Sequence, residues 1–243
     1  EDEAAVRARR RRRGVPIAVT MRDDDEALAT TQIARLSAEQ IVGMTTAQVV
    51  AMTSDQIAAL TSDQINAMAS DDLQAMTTTQ VAALTTDQIA NMSAAQSALL
   101  ETRDVAVLSS DQAGNLSADA IAALTTAQIS ALSSDALNAL SADQIAAIET
   151  RDLAALSSDQ LNALATEQVA AFTTDQVAAL TTGQLAALDG SRLVALTSDQ
   201  IAALTTTDLA AMSMTQAVSF TSAQVGAMST AQLNVLLATS PIV

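Results

Sequence analysis

The sequence predicts an all-α solenoid of short capped helices, one for each eight-residue repeat. Three observations lead to this prediction. An apolar residue recurs at every eighth position, a polar tetrad with the features of a helix start precedes each apolar segment, and glycine is scarce. The phrase TSDQIAAL at residues 53–60, followed by TSDQINAM at 61–68, shows the pattern in its simplest form.

Two apolar columns run through most of the 243-residue chain. One begins at Leu36 and steps by eight to Leu236, so that 26 octads follow one another without insertion or deletion. The other begins at Ile33 and ends at Leu233. Three small residues interrupt the second column: Ser97, Ala113 and Ala217. Such a strict register means that each octad occupies an equivalent position in space.

A single continuous helix does not fit this period. The two columns alternate at spacings of three and five residues, which average four, whereas an α-helix has 3.6 residues per turn. At 100° per residue the apolar stripe would drift by about 80° per octad and wind around the rod within a few repeats. Half of the apolar side chains would then face water, so the chain must break between octads.

The first four residues of each octad supply the break. Thr53 can cap a helix while Gln56 bonds back to the Thr53 backbone N–H, which forms a reciprocal capping box. Met52 and Ile57 stand where a hydrophobic staple requires them. Asp55 in the first turn faces the positive end of the helix dipole. We therefore expect one helix of about six or seven residues in each octad.

A β-solenoid is the alternative fold. It would need alternating β-branched residues, with Gly or Asn at its corners. The octad centre instead reads IAAL or a close variant, and the whole chain contains only six Gly. Because Ala is the strongest helix former, the helical solenoid is favoured. Helices this short are unstable alone, so their stability must come from stacking.

The asparagine positions predict three octads, or 24 residues, per coil. All six Asn fall in the same octad of a three-octad set: Asn66, Asn91, Asn115, Asn138, Asn162 and Asn234. Duplication of a 24-residue unit in the gene would leave the same pattern without a spatial meaning, and this alternative stays open at this point. With helix layers about 8–10 Å apart, nearly nine coils would make a rod about 80 Å long.

Composition divides the chain into three parts. Residues 1–31 contain an acidic start, an arginine run at 7–13 and a Gly-Val-Pro break, and we interpret them as a flexible leader that is either native or added for expression. Residues 32–237 form the predicted octapeptide-repeat solenoid. Residues 238–243 are a C-terminal extension.

Most catalytic residue types are missing. The chain has no His, Cys or Lys, which removes the commonest general base, the thiolate nucleophile, the Schiff-base amine and most zinc and haem ligands. No phosphate-binding loop, dinucleotide fingerprint or catalytic-triad spacing occurs. We therefore expect no enzymatic activity, no cofactor and no metal centre.

Three polar patterns have both a functional and a structural interpretation. Rows of Asp could gather Ca²⁺, but Ca²⁺ needs six to eight converging oxygens, and evenly spaced first-turn Asp residues are explained by the helix dipole and solubility. Rows of Thr and Ser hydroxyls could bind a lattice such as ice, although capping already explains one hydroxyl of each pair. Glu101 with Asp104, and Glu149 with Asp152, resemble paired catalytic carboxylates. Each pair replaces the capping residues of its octad, which favours a reversed capping box.

Net charge restricts the partners. The chain carries a net charge of −16, and residues 32–243 contain 20 Asp or Glu against four Arg. Such a body repels nucleic acid and anionic lipid. We therefore expect no nucleic-acid partner. No stretch approaches 18 continuous apolar residues, so we also expect no membrane span.

The repeated phrase resembles a known type of sequence. Residues 85–89, TTDQI, and their many copies resemble the octapeptide LTxxQIxxL tracts of very large, repetitive bacterial surface and adhesin-like proteins. The resemblance covers residues 32–237. It implies an extracellular or cell-surface structural role.

These observations predict a structural rod, a subunit of a bacterial surface fibre or self-assembling extracellular filament. Its partners would be copies of itself arranged head to tail, or neighbouring repeats of a larger chain. The apolar C-terminal segment is expected to form an uncapped end-to-end interface. The candidate interface residues are Leu233, Leu236, Leu237, Ile242 and Val243. An interaction scaffold that binds a protein or glycan along one face is the alternative, and an ice binder is a further one.

Overall fold

The computed structural model describes residues 29–239, which contain 26 helices and no β-strand. Each octad from 29–36 to 229–236 contributes one helix, so the predicted all-α solenoid is confirmed. The helices in chain order, α1 to α26, are Thr30–Ile33, Ala38–Val42, Thr46–Val50, Ser54–Ala58, Ser62–Ala67, Ser70–Gln74, Thr78–Ala82, Thr86–Ala90, Ala94–Leu99, Thr102–Val105, Ser110–Gly114, Ala118–Ala123, Thr126–Ala131, Ser134–Asn138, Ala142–Ala147, Thr150–Leu153, Ser158–Ala163, Thr166–Ala170, Thr174–Ala179, Thr182–Ala187, Gly190–Ala195, Ser198–Ala202, Thr206–Ala210, Met214–Ala217, Ser222–Ala227 and Thr230–Thr239.

Side-chain caps separate the helices. Every Ser or Thr at the first position of a described octad accepts a hydrogen bond from the backbone N–H three residues later, as Thr61 Oγ1 does from Gln64 at 3.2 Å. In return, Gln64 Oε1 accepts from the Thr61 backbone N–H at 2.7 Å. Thr61 itself is extended, with φ −75° and ψ 159°. The predicted capping box therefore forms in the octads that have Ser or Thr at the first position and Gln at the fourth, and it marks the break between helices there.

Fifteen of helices α1 to α25 are shorter than the predicted six or seven residues, and the other ten have six. Helices α1 to α25 have four to six residues. The last turn tightens before the next cap: after α4 ends at Ala58, the Leu60 N–H bonds to Ile57 O, only three residues back, at 3.1 Å.

The final helix is the longest of the described helices. Helix α26 has ten residues and continues past Leu236, and Leu237 stands at the position where most octads have Ser or Thr. The predicted C-terminal extension thus begins inside a helix, and its residues 240–243 lie outside the described part. Most of the predicted leader, residues 1–28, also lies outside it, while α1 begins at Thr30.

Every helix packs on the helix three octads later, from α1 on α4 to α23 on α26. The predicted coil of three octads is therefore confirmed, and the rod has three faces. The first face consists of α1, α4 and every third helix after them, the second begins with α2 and the third with α3. This arrangement also gives each asparagine a place on the second face.

The two apolar columns form the core. Each coil contributes six inward-facing side chains, three from the fifth and three from the eighth octad positions. Ile57, Ile65 and Val81 at the fifth position are 0% exposed. The resulting core is one continuous cluster from Ile33 to Leu236. Burial of this apolar area is the main term that stabilises helices too short to persist alone.

The caps can be tested by one loss and one gain. Thr61→Ala removes a cap acceptor and is expected to lower the free energy of unfolding by about 1 kcal/mol. Ala165 begins α18 without a side-chain cap, so Ala165→Thr is expected to raise it by about the same amount. Urea unfolding followed by circular dichroism measures both. Equal responses to the two substitutions would contradict the role of the first position.

Candidate functional site

A ladder of buried glutamine amides joins successive coils. Gln88 Nε2 donates to the backbone oxygens of Ile57 at 2.9 Å and Leu60 at 2.6 Å, which lie 31 and 28 residues earlier. Gln176 repeats this geometry with Ile145 at 2.9 Å and Ile148 at 2.7 Å. Each glutamine at the fourth octad position from Gln64 to Gln232 donates to a carbonyl of the preceding coil. These glutamines are 64, 80, 88, 96, 112, 128, 144, 160, 168, 176, 184, 200, 216, 224 and 232.

The acceptors of this ladder are the carbonyls at helix ends. Ile57 is in the last turn of α4 and Leu60 is in the link to α5, so Gln88 of α8 lies above the junction between two helices of the coil below. A helix leaves its last carbonyls without intrahelical partners. The glutamine of the next coil supplies donors for them. The amide oxygen of Gln88 accepts from the Thr85 backbone N–H, so protein groups satisfy both amide atoms. Gln88 is also only 2% exposed, which shields these bonds from water.

In one octad an arginine stands at the fourth position and, like the glutamines, donates hydrogen bonds to a carbonyl of the preceding coil. Arg192 Nε and Nη2 donate to Leu164 O, 28 residues earlier, at 3.2 and 3.0 Å. Its Nη1 also pairs with Asp189 Oδ2 at 2.6 Å. Burial acts to raise the pKa of Asp189. Hydrogen bonds from Ser191 and the Arg192 backbone, together with the Arg192 charge, outweigh burial and lower this pKa. This carboxylate therefore contributes stability at neutral pH that is lost as the pH falls through its folded-state pKa.

Aspartate replaces the glutamine in four octads and uses a different partner. The Oδ1 atoms of Asp72, Asp152 and Asp208 accept hydrogen bonds from threonine hydroxyls 26 residues earlier. The donors are Thr46, Thr126 and Thr182, at 2.8, 2.5 and 2.7 Å. We refer to these three contacts as the Thr–Asp rungs. Each rung joins two coils as the glutamines do, with the donor and acceptor exchanged.

The two Glu-Thr-Arg-Asp octads do not form the reversed capping boxes that we predicted. The side chains of Glu101 and Glu149 make no cap bond. They pair instead with the neighbouring arginines, Glu101 with Arg103 at 3.0 Å and Glu149 with Arg151 at 2.8 Å. Only one half of one box is present, where Asp104 Oδ2 accepts from the Glu101 backbone N–H at 3.1 Å. Both aspartates are buried, Asp104 at 0% and Asp152 at 1% exposed.

Two of the six asparagines bridge coils. Asn66 Nδ2 donates to Asn91 O at 3.0 Å, and Asn162 Nδ2 donates to Ala187 O at 2.9 Å. Both contacts join residues 25 apart on the second face. Asn91 and Asn115 instead donate to carbonyls four residues earlier in their own octads. The spacing of asparagine thus coincides with the three-octad coil.

Acidic side chains line the second face of the rod. Their third-position carboxylates follow one another in six successive coils and are all exposed. These residues are Glu39, Asp63, Asp87, Asp111, Asp135 and Asp159. Within residues 29–239, no three acidic side chains converge closely enough to hold a metal ion. None of the helices in that range is long and apolar enough to cross a membrane.

The predicted interface residues occupy different environments. Leu236 is 7% exposed and belongs to the core, and Leu233 packs against it while partly buried. Leu237 is 60% exposed on the extended last helix. Ile242 and Val243 lie outside the described residues. Of the three described candidates, Leu237 is thus the one that is exposed at this end.

Comparison with known proteins defines the class. The stacked capped octads make this chain a tandem-repeat helical solenoid. A model of the ALTTAQ repeat matches it six times in tandem, at residues 42–70, 65–102, 97–134, 121–147, 145–182 and 178–206. Because these matches cover more than half of the chain, the protein belongs to the ALTTAQ repeat family. No curated protein sequence matches it.

The second role of glutamine is the feature that sequence reasoning missed. Glutamine occupies the fourth position in 19 of the 26 octads, and glutamate in none. Glutamate would close the capping box equally well and would suit the helix dipole better. Its exclusion is the signal that the side-chain N–H₂ group is needed.

The role of the side-chain N–H₂ group can be tested by replacing it with an oxygen atom. Gln88→Glu keeps the cap acceptor but places a buried carboxylate against two carbonyls, so it is expected to lower the free energy of unfolding by about 3–5 kcal/mol at neutral pH. Gln32→Glu is the matched control, because exposed Gln32 makes the same cap bond at 2.8 Å but has no described coil beneath it. Its effect should stay within about 0.5 kcal/mol. Similar losses in both variants, measured by urea unfolding, would show that the ladder contributes nothing.

Proposed function

We propose that this protein is a structural, non-enzymatic rod, part of a bacterial surface fibre or a self-assembling extracellular filament. The observation that carries the proposal is that most coil junctions repeat the same glutamine contact. The same glutamine geometry recurs from Gln64 to Gln232 over one unbroken core. A stack whose layers are joined by one repeated contact can be lengthened by adding layers, which suits a fibre.

The last described coil offers acceptors for a further layer. By the 28- and 31-residue spacing, the carbonyls of Val225 and Met228 are acceptors for a glutamine of the next coil, and no glutamine within residues 29–239 reaches them. Leu237 adds exposed apolar surface at the same end. A second copy of this chain, or further repeats of a longer one, would supply both contacts. Such a head-to-tail interface does not close on itself and gives an open polymer.

The surface location rests on two features. The described body is strongly acidic and resembles repetitive bacterial surface tracts. Its buried glutamines are occupied by caps and coil junctions, which supports a mechanical role over a catalytic one. The Ser and Thr hydroxyls at the first position of each octad are used in helix caps, which weighs against ice binding.

Self-assembly is tested by particle length. Sedimentation velocity and negative-stain microscopy of the whole chain at tens of micromolar should show rods longer than the single-chain length of about 80 Å. Leu237→Glu is expected to shift this distribution to single rods. Val107→Glu is the control, because Val107 is an exposed valine, 39% accessible, far from the end. Single rods from the unchanged protein at every concentration would refute self-assembly.

An interaction scaffold is the second candidate, favoured by the column of acidic residues on the second face. A basic protein partner would then bind one face of the rod. The double variant Asp87→Asn with Asp111→Asn should weaken binding of an oligolysine peptide in calorimetry. The double variant Asp175→Asn with Asp199→Asn, on adjacent coils of the first face, should not. Equal weakening would mean that only net charge matters and would remove the scaffold hypothesis.

A further inference from the structure

One coil junction departs from the others at a buried carboxylate. Asp104 occupies the fourth position of its octad, in α10, and is 0% exposed. Its Oδ1 is the one buried side-chain polar atom within residues 29–239 that has no hydrogen-bond partner. Buried polar groups are almost always satisfied, so this atom requires a physical explanation.

The chain contains a matched octad for comparison. Asp152 ends the second Glu-Thr-Arg-Asp segment, and its Oδ1 accepts from Thr126 in the coil below and from Arg151 Nε at 3.3 Å. The residue 26 positions before Asp104 is also a threonine, Thr78, but it donates no bond to Asp104. Arg103 Nε lies 3.7 Å from Oδ1, beyond hydrogen-bond distance. The junctions at Asp104 and Asp152 therefore have similar composition, but only Asp152 forms a Thr–Asp rung.

Few charges can compensate an ionised Asp104. Helices α7 and α13, which stack on α10 from the two sides, contain no titratable side chain. The charged neighbours are Arg103 and Glu101 of its own octad, which pair with each other. Burial raises the pKa of Asp104, against the Glu101 backbone hydrogen bond and the Arg103 charge, which lower it. A groove of about 490 Å³ lies beside α10 on the side of Thr125 and Gln128, and Glu101 and Arg103 line part of it.

We propose that the junction between α7 and α10 is a pH-sensitive joint in the rod. A neutral Asp104 carboxyl keeps the joint closed, because it places no charge between the two coils. Ionisation leaves a buried charge whose Oδ1 has no hydrogen-bond donor, which favours local separation of the third and fourth coils. Glutamine amides at other junctions do not titrate, so the joint is local.

The direction of the effect follows from linkage. A carboxyl whose folded-state pKa is raised holds its proton more tightly in the closed joint than in the opened one. The joint therefore strengthens as the pH falls through the folded-state pKa and is weakest above it. This inference depends on the solenoid fold and not on the proposed fibre, so it can fail without refuting the fibre.

Hydrogen exchange of the whole chain, followed by mass spectrometry and corrected for intrinsic rates, tests the joint. At neutral pH the segment 101–108 is expected to exchange at least about tenfold faster than the matched segment 149–156, because a buried unpaired charge favours local opening. The difference should narrow on acidification. Asp104→Gln should slow exchange in 101–108 to the rate of 149–156. Glutamine fits above threonine, as Gln112 above Thr86 shows. Equal protection of the two segments at all pH values would overturn the proposal.

A second pair of variants tests the missing rung. Thr126→Val should speed exchange in 149–156, because it removes the donor to Asp152. Thr78→Val should leave exchange in 101–108 at neutral pH unchanged, because Thr78 donates nothing to an ionised Asp104. If both substitutions accelerate exchange equally, Thr78 satisfies Asp104 as Thr126 satisfies Asp152, and the joint does not exist.

Discussion

The rest of the structure depends on the two-ended hydrogen bonding of a buried glutamine. In Gln88 the side-chain oxygen closes the cap of its own helix by accepting from Thr85 at 2.7 Å. The nitrogen of the same amide reaches the end of a helix in the coil below. One side chain thus satisfies a donor at the start of one helix and acceptors at the end of another, which are the groups that short helices leave unpaired. A chain of helices with four to six residues has many such ends, and without these amides each coil junction would bury unpaired carbonyls at a substantial cost in free energy.

The core supplies cohesion, and the polar contacts supply register. A column of Leu, Ile, Val and Met with almost no aromatic residues has little shape of its own, and apolar burial is non-directional. Nearly identical octads could slide past one another by eight residues with little loss of apolar contact. The glutamine contacts repeat along the rod, but the Thr–Asp rungs and the asparagine bridges occur only in particular octads. Each Thr–Asp rung pairs an aspartate with one particular threonine 26 residues earlier, so a slipped coil would place that aspartate against other residues. Polar pairs of this kind specify register more than they add stability.

Much of the fold could be predicted because its signals are local or periodic. The capping box at Thr53, the eight-residue apolar columns and the placement of asparagine gave the helices, their stacking and the coil of three. Helix length was overestimated, because the tightened last turn before Leu60 leaves no trace in composition. The roles of Gln88 and Asp152 could not be derived in advance, since their partners lie 26 to 31 residues away and depend on the offset between coils. Sequence alone interpreted Glu149 and Asp152 as a cap, because local hydrogen bonding was the only geometry available to that argument.

The most direct measurement of the central claim is solvent exchange of the glutamine side-chain amides, observed by nuclear magnetic resonance on the ¹⁵N-labelled protein. The account predicts that the N–H₂ groups of the ladder glutamines, such as Gln88 and Gln176, exchange orders of magnitude more slowly than that of exposed Gln32 in the same sample. Protection should follow the ladder along the rod. Exchange of Gln88 and Gln176 as fast as that of Gln32, in a protein that remains helical, would contradict the account.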